Sequence, residues 1–234
     1  ELHDAYISVV EALKSAGYKY SKKININWID SEDLEKENVN LKEIFKNTNG
    51  ILVPGGFGTR GISGKIKAIN YARVNKIPFL GICLGMQLAV IEFARNVAGI
   101  KDASSTEFDE MCKNPVIDLM ADQKSIINMG GTLRLGNYEC SLKEKTLAHK
   151  VYKEDKILER HRHRYEFNNE YKELLEQKGL VFSGINEASN LVEIVEIPTH
   201  PHFIASQFHP EFKSRPTRPH PLFDSFIKAS IDKK

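Results

Sequence analysis

The chain has 234 residues, of which 41% are hydrophobic and 27% charged, with a formal net charge of +2. That length suits one α/β domain with a substantial core, and the even charge balance gives no general argument for nucleic acid or an anionic membrane as partner. No apolar run approaches the roughly 18 residues of a spanning helix, and no signal peptide is legible. The cysteines Cys83, Cys112 and Cys140 are odd in number, which favours a reducing cytoplasm where one thiol is chemical.

The chain opens on Glu1-Leu2-His3-Asp4 and enters a helical pattern at once, so it reads as an excised piece lacking a first strand. Asp4 caps a helix with Ile7, Val10 and Leu13 on one face and Gly17 at its end. Ile24, Ile26 and Trp28 alternate as a strand, and Ile51-Leu52-Val53 is a short buried strand that breaks into Pro54-Gly55-Gly56-Phe57-Gly58. A helix over 66–74, a strand over 77–82 and a helix over 84–97 follow. Between 103 and 146 the pattern predicts loops and short antiparallel strands, with Gly130-Gly131 and Gly136 as turns. Regular elements return over 158–167, near 170–177, and near Val181, Val192 and Phe203, and 219–231 reads as a closing helix. Strands alternating with helices predict a mostly parallel central sheet with helices on both faces, in one domain over 1–234.

"PFLGICLGMQ", residues 78–87, places Cys83 between a strand and a helix, with Gly81 and Gly85 on either side. A strained strand–turn–helix corner of this kind presents a nucleophile, and it tolerates only small neighbours. The helix start aims its N–H groups and positive dipole end at the sulfur. A buried structural cysteine is the plainer reading, and the G-x-C-x-G spacing outweighs it. Cys112 and Cys140 lack such a setting. A thiol nucleophile needs a base and a group to orient it. In "ASQFHPEF", His209 ends an apolar run before Pro210, and Glu211 can return to its imidazole. The backbone N–H of Leu84 is one donor for a developing oxyanion, and the glycine-rich loop at Gly55-Gly56 is the source of a second.

"ERHRHRYEF", residues 159–167, is the most basic stretch. As a strand it places Arg160, Arg162 and Arg164 on one face and His161 and His163 on the other, and such guanidinium groups suit a carboxylate. A nucleic-acid patch lacks a surrounding basic field and aromatic platforms. The His-x-His pairs 161/163 and 200/202 each lack a third zinc ligand at clear spacing.

The cysteine corner, the distant His-Pro-Glu and the glycine loop together resemble the class I (triad) glutamine amidotransferases, a flavodoxin-like fold. "LVPGGFGTRG", "GICLGMQLAVIEFAR", "SSTEF", "GGTLRLG", "ERHRHRYEFNN" and "QFHPEFKSRP" occur in the order found in the glutaminase domains of CTP synthases. GICLGMQ and HPE are shared across several amidotransferases, whereas the RHRHRYE and GGTxRLG blocks are far more diagnostic, and RHRHRYE argues against the alternative reading, an amidotransferase of GMP or carbamoyl phosphate synthesis. A non-catalytic module with the same fold is disfavoured by the complete Cys83, His209 and Glu211 set. The resemblance implies attack by Cys83 on the glutamine amide, with His209 as base and Glu211 as its orienter. It implies an oxyanion hole from Gly56 and Leu84, and substrate contacts from Gly56, Leu84, Gln87, Glu107 and Arg164. No cofactor or metal is expected in this domain. The resemblance further implies that ATP and Mg belong to a preceding synthetase domain, that GTP activates the full enzyme, and that the full enzyme is a cytoplasmic homotetramer. Frequent Lys, Asn and Ile suggest a bacterial source.

Overall fold

The computed structural model describes residues 3–119 and 133–233. In chain order the elements are α1 (Ile7–Lys19), α2 (Leu41–Ile44), β1 (Ile51–Val53), α3 (Ile62–Val74), β2 (Phe79–Ile82), α4 (Leu84–Asn96), β3 (Ala103–Ser105), β4 (Asn114–Leu119) and β5 (Arg134–Leu142). There follow α5 (Leu147–Tyr152), β6 (Lys156–His163), β7 (Tyr165–Phe167), α6 (Lys172–Gln177), β8 (Val181–Asn186), β9 (Leu191–Glu196), β10 (Phe203–Ser206) and α7 (Pro221–Asp232).

The central sheet runs β1-β2-β10-β9-β8-β5-β6. The β1-β2-β10 portion is parallel, and β9, β8, β5 and β6 extend it as antiparallel strands. Alternation decides the layers. Phe79 and Phe203 pack with α3 and α4 on one face, while Leu80, Ile82 and Ile204 pack with α1, α5 and α7 on the other. Within the first layer Glu92 of α4 is fully buried and takes a bidentate bond from Arg73 of α3 at 2.8 Å, with Asn70 also at 2.8 Å. The two helices are thereby locked together behind the corner.

Several local expectations shift. The first helix begins with a 3-10 turn at His3–Tyr6 and runs through Gly17 to Lys19, because the chain turns only where Gly17 O accepts the Tyr20 and Lys22 N–H groups. Residues 22–30 form no strand; Ile24 and Ile26 alternate because both pack on the α1–α7 layer. Between 103 and 119, β3 pairs β4 in parallel, and β7 joins antiparallel to complete a second sheet of order β3-β4-β7. Gly136 is inside the long strand β5, opposite His161, at φ 110°. Gly130-Gly131 falls outside the described residues. The 158–167 run is broken at Arg164: β6 belongs to the central sheet and β7 to the small one. Arg160 and Arg162 are exposed and His161 and His163 buried, as period two requires, but Arg164 lies at the junction of the sheets.

Candidate functional site

Cys83 sits between β2 and α4 with φ 52° and ψ −104°, a conformation that a residue with a Cβ adopts only under strain. The strain is held by close packing on both sides. A Cβ on Gly85 would lie 2.1 Å from Val53 O, and one on Gly81 2.8 Å from Ala205 Cβ. The corner therefore needs glycine at both positions, as its spacing suggested. Cys83 N–H donates to Ser206 O at 2.7 Å, a continuation of the β2–β10 register in which Ile82 faces Ser206. That register sets residues 207–211 beside the sulfur.

His209 follows three residues after Ser206, held by its own N–H to Arg160 O at 2.8 Å. Its Nδ1 bonds Glu211 Oε1 at 2.7 Å. The carboxylate fixes Nδ1 as the protonated nitrogen and leaves Nε2 as the reactive one. Nε2 has no hydrogen-bond partner among the described residues. The ring is wedged against the glycine-rich loop, since a Cβ on Gly55 would meet His209 Cε1 at 2.8 Å and Cys83 Cβ at 3.4 Å. Burial works against charge on His209, but its interactions with Cys83 and Glu211 outweigh burial and raise its pKa to about 10. At neutral pH the imidazolium is therefore the resting form of His209.

On the other flank of Cys83 lies a cavity of about 390 Å³ whose walls include Gly56, Phe57, Cys83, Gln87, Glu107 and Arg164. Five of the sequence-derived site residues meet there. Leu84 is not in the wall; it begins α4, and its side chain would lie 3.3 Å from a Cβ on Gly56. The first N–H of a helix has no partner within the helix, so Leu84 N–H is available to a ligand at the corner. Glu107 Oε1 accepts the Gly58 N–H at 3.0 Å, which ties the carboxylate to the glycine-rich loop. Burial raises the Glu107 pKa, and the Gly58 N–H and the Arg164 charge work in the opposite direction. A cavity with a cationic arginine at one side and a carboxylate at another suits a zwitterionic amino acid. Arg162 and Tyr165 also line it; Arg160 faces a separate groove with Leu135 and Phe212.

Sequence reasoning passed over Gln207. It is fully buried, and its Nε2 approaches Cys83 Sγ at 3.7 Å. The signal was its place two residues before His209, on the extended segment that must run past the corner.

A second polar cluster adjoins the cavity, with His163 in its wall. His161 Nδ1 and His163 Nε2 are 2.8 Å apart, Arg134 donates to Glu193 at 2.6 Å, and Glu166 lies 3.2 Å from His163 Nδ1. Desolvation, followed by Arg134 and neighbouring histidines, lowers His161 to about 2 and His163 to about 3. Desolvation raises Glu193 to about 7 against the pull of Arg134, and raises Glu166 well above the usual carboxylate range. Among the described residues, no group of three or more His, Cys, Asp or Glu is arranged to hold a metal ion. Among them, too, no helix is long and apolar enough to cross a membrane.

Comparison with known proteins follows the same lines. The family model "Glutamine amidotransferase class-I" matches residues 1–229. The chain is 61% identical over 234 residues to the CTP synthase of Caldanaerobacter subterraneus subsp. tengcongensis, and 56% identical over 232 residues to that of Bacillus subtilis. It spans 43% of the length of each of these relatives. The glutaminase domain of Trypanosoma brucei CTPS, solved with bound acivicin, superposes with a TM-score of 0.94 at 38% identity, covering all of this chain and 92% of that one.

Proposed function

The chain belongs to the class-I glutamine amidotransferases, and from that membership we propose that it is the glutaminase domain of a CTP synthase, releasing ammonia from L-glutamine. The observation that supports this reading best is the strained Cys83 between the His209–Glu211 pair and a cavity bearing Arg164 and Glu107.

In the proposed mechanism Arg164 takes the α-carboxylate of glutamine and Glu107 its α-ammonium, with Gln87 along the cavity wall. The Cys83 thiolate attacks the side-chain carbonyl carbon, forming the C–S bond, and the carbonyl electrons move to oxygen. The N–H groups of Gly56 and Leu84 stabilise that oxyanion. The imidazolium of His209 then gives its proton to the departing nitrogen, and ammonia leaves a glutamyl thioester. Neutral His209 next removes a proton from water, which attacks the thioester and returns glutamate and the thiolate. Glu211 keeps the ring oriented and offsets its charge. The Gly58–Glu107 bond makes the substrate's ammonium site part of the loop that supplies the oxyanion donor.

Residues 1–234 act in this reading as one domain, and the remaining length found in the relatives carries a synthetase domain that uses the ammonia to aminate UTP. ATP and Mg act in that remainder, GTP activates the whole enzyme, and the whole is a cytoplasmic homotetramer. Treatment with a diazo-ketone analogue of glutamine tests the reading. A single adduct mapped to Cys83 and blocked by excess glutamine is expected. Labelling elsewhere, or labelling that glutamine does not block, would remove Cys83 from the proposed role.

A further inference from the structure

We propose that Gln207 is a positioning residue for the nucleophile: its side-chain amide holds Cys83 Sγ in place and favours the thiolate. The inference rests on the reading of Cys83 as nucleophile.

The orientation of Gln207 is set by a backbone carbonyl. Tyr165 O can only accept, so Gln87 must turn its NH₂ toward it, and that bond is 3.0 Å. The same NH₂ reaches Gln207 Oε1 at 3.2 Å. With its oxygen occupied, Gln207 has only its Nε2 to offer the sulfur, at 3.7 Å. The backbone of Gln207 is held as well, by its N–H to Glu193 O at 2.8 Å. Both amides are buried, at 3% and 0% exposure, so neither exchanges these bonds for water.

The sulfur also has a competing neighbour. As a thiol it can donate to Arg162 O, 3.9 Å away, which stabilises the protonated form. Ionisation forfeits that bond, while the N–H of Gln207 gains a charged acceptor and strengthens. Gln207 thus tips the sulfur toward thiolate from behind, where it takes no part in the wall of the substrate cavity.

The test follows the pH dependence of Cys83 alkylation by iodoacetamide, read by peptide mapping in the whole protein. Gln207→Met keeps the length of the side chain and removes the N–H. The alkylation midpoint is expected to rise by about one pH unit, roughly a tenfold smaller thiolate-to-thiol ratio, with kcat reduced more than KM is raised. Gln207→Glu keeps the acceptor for Gln87 and sets a carboxylate against the sulfur, so its midpoint should rise further. An unmoved midpoint in a Gln207→Met protein with native circular dichroism overturns the inference. If that variant fails to fold, an unmoved or lowered midpoint in Gln207→Glu overturns it instead. The diazo-ketone separates the two levels. Loss of glutamine-protected labelling in the wild type sinks the functional reading, whereas normal labelling with an unmoved midpoint sinks this inference alone.

Discussion

His163 is buried and His209 partly buried, each beside a carboxylate, at 3.2 Å from Glu166 and 2.7 Å from Glu211, yet their pKa values move in opposite directions. His209 rises to about 10 and His163 falls to about 3. Distance to a carboxylate does not explain the difference. His209 faces two groups that can be anionic, Cys83 and Glu211. His163 is lowered first by desolvation and then by Arg134, and its carboxylate neighbour is itself pushed toward the neutral form. An imidazole takes the charge that its whole surroundings favour. One region thus holds a charged imidazole beside the thiol, and the other keeps its imidazoles neutral.

The neutral cluster has an internal balance. Between about pH 4.5 and 6.5 an unfolded chain carries the two histidines protonated and the two glutamates ionised. The folded cluster carries neutral imidazoles and neutral carboxyls, so the proton count is the same. Two atoms without hydrogen-bond partners, His161 Nε2 and Glu193 Oε2, face each other at 3.4 Å, and one proton between them satisfies both. His209 is not balanced in this way. Its raised pKa contributes stability that is fully present below about pH 6.5 and is lost as pH rises through about 10.

Substitutions can break this contrast, beginning with the largest effect. His209→Ala should cut glutamine hydrolysis by about 10² to 10⁴-fold with the fold preserved, and Glu211→Gln should cut it less, because it orients the ring without transferring the proton. Steady-state ammonia release ranks them; the reverse order would assign the proton transfer wrongly. Arg134→Met should act on stability instead. At pH 8 it leaves ionisable carboxyls without their cation and should cost about 3 kcal/mol in urea unfolding, with a smaller cost at pH 5, where they are protonated. Arg164→Ala should raise KM for glutamine roughly tenfold or more with a smaller change in kcat, through the lost carboxylate contact. The subtlest effect belongs to His161→Gln. The unfolded variant binds one proton fewer below pH 6.5, so the slope of unfolding free energy against pH should change by about −1.4 kcal/mol per unit between pH 4.5 and 6.5. An unchanged slope would mean that folding does not neutralise His161.

Residue spacing alone marked the Cys83 corner, because the strand–turn–helix pattern is short; the contacts that demand glycine there, Val53 O against Gly85 and Ala205 Cβ against Gly81, come from neighbouring strands. The His209–Glu211 pairing was legible for the same reason, two residues being a short reach. Period two in "ERHRHR" also separated exposed arginines from buried histidines correctly. Other features depend on contacts between distant segments. The break at Arg164 arises because β6 and β7 join different sheets, and Ile24 and Ile26 alternate without pairing because a helical layer covers them. Gln207 acquires its orientation from Tyr165 through Gln87, three residues far apart in the chain. The sequence by itself determined which groups could do chemistry, since identity and near-neighbour geometry are local. Tertiary structure alone decided which histidines would be charged, because a pKa depends on every group that folding brings within a few ångströms.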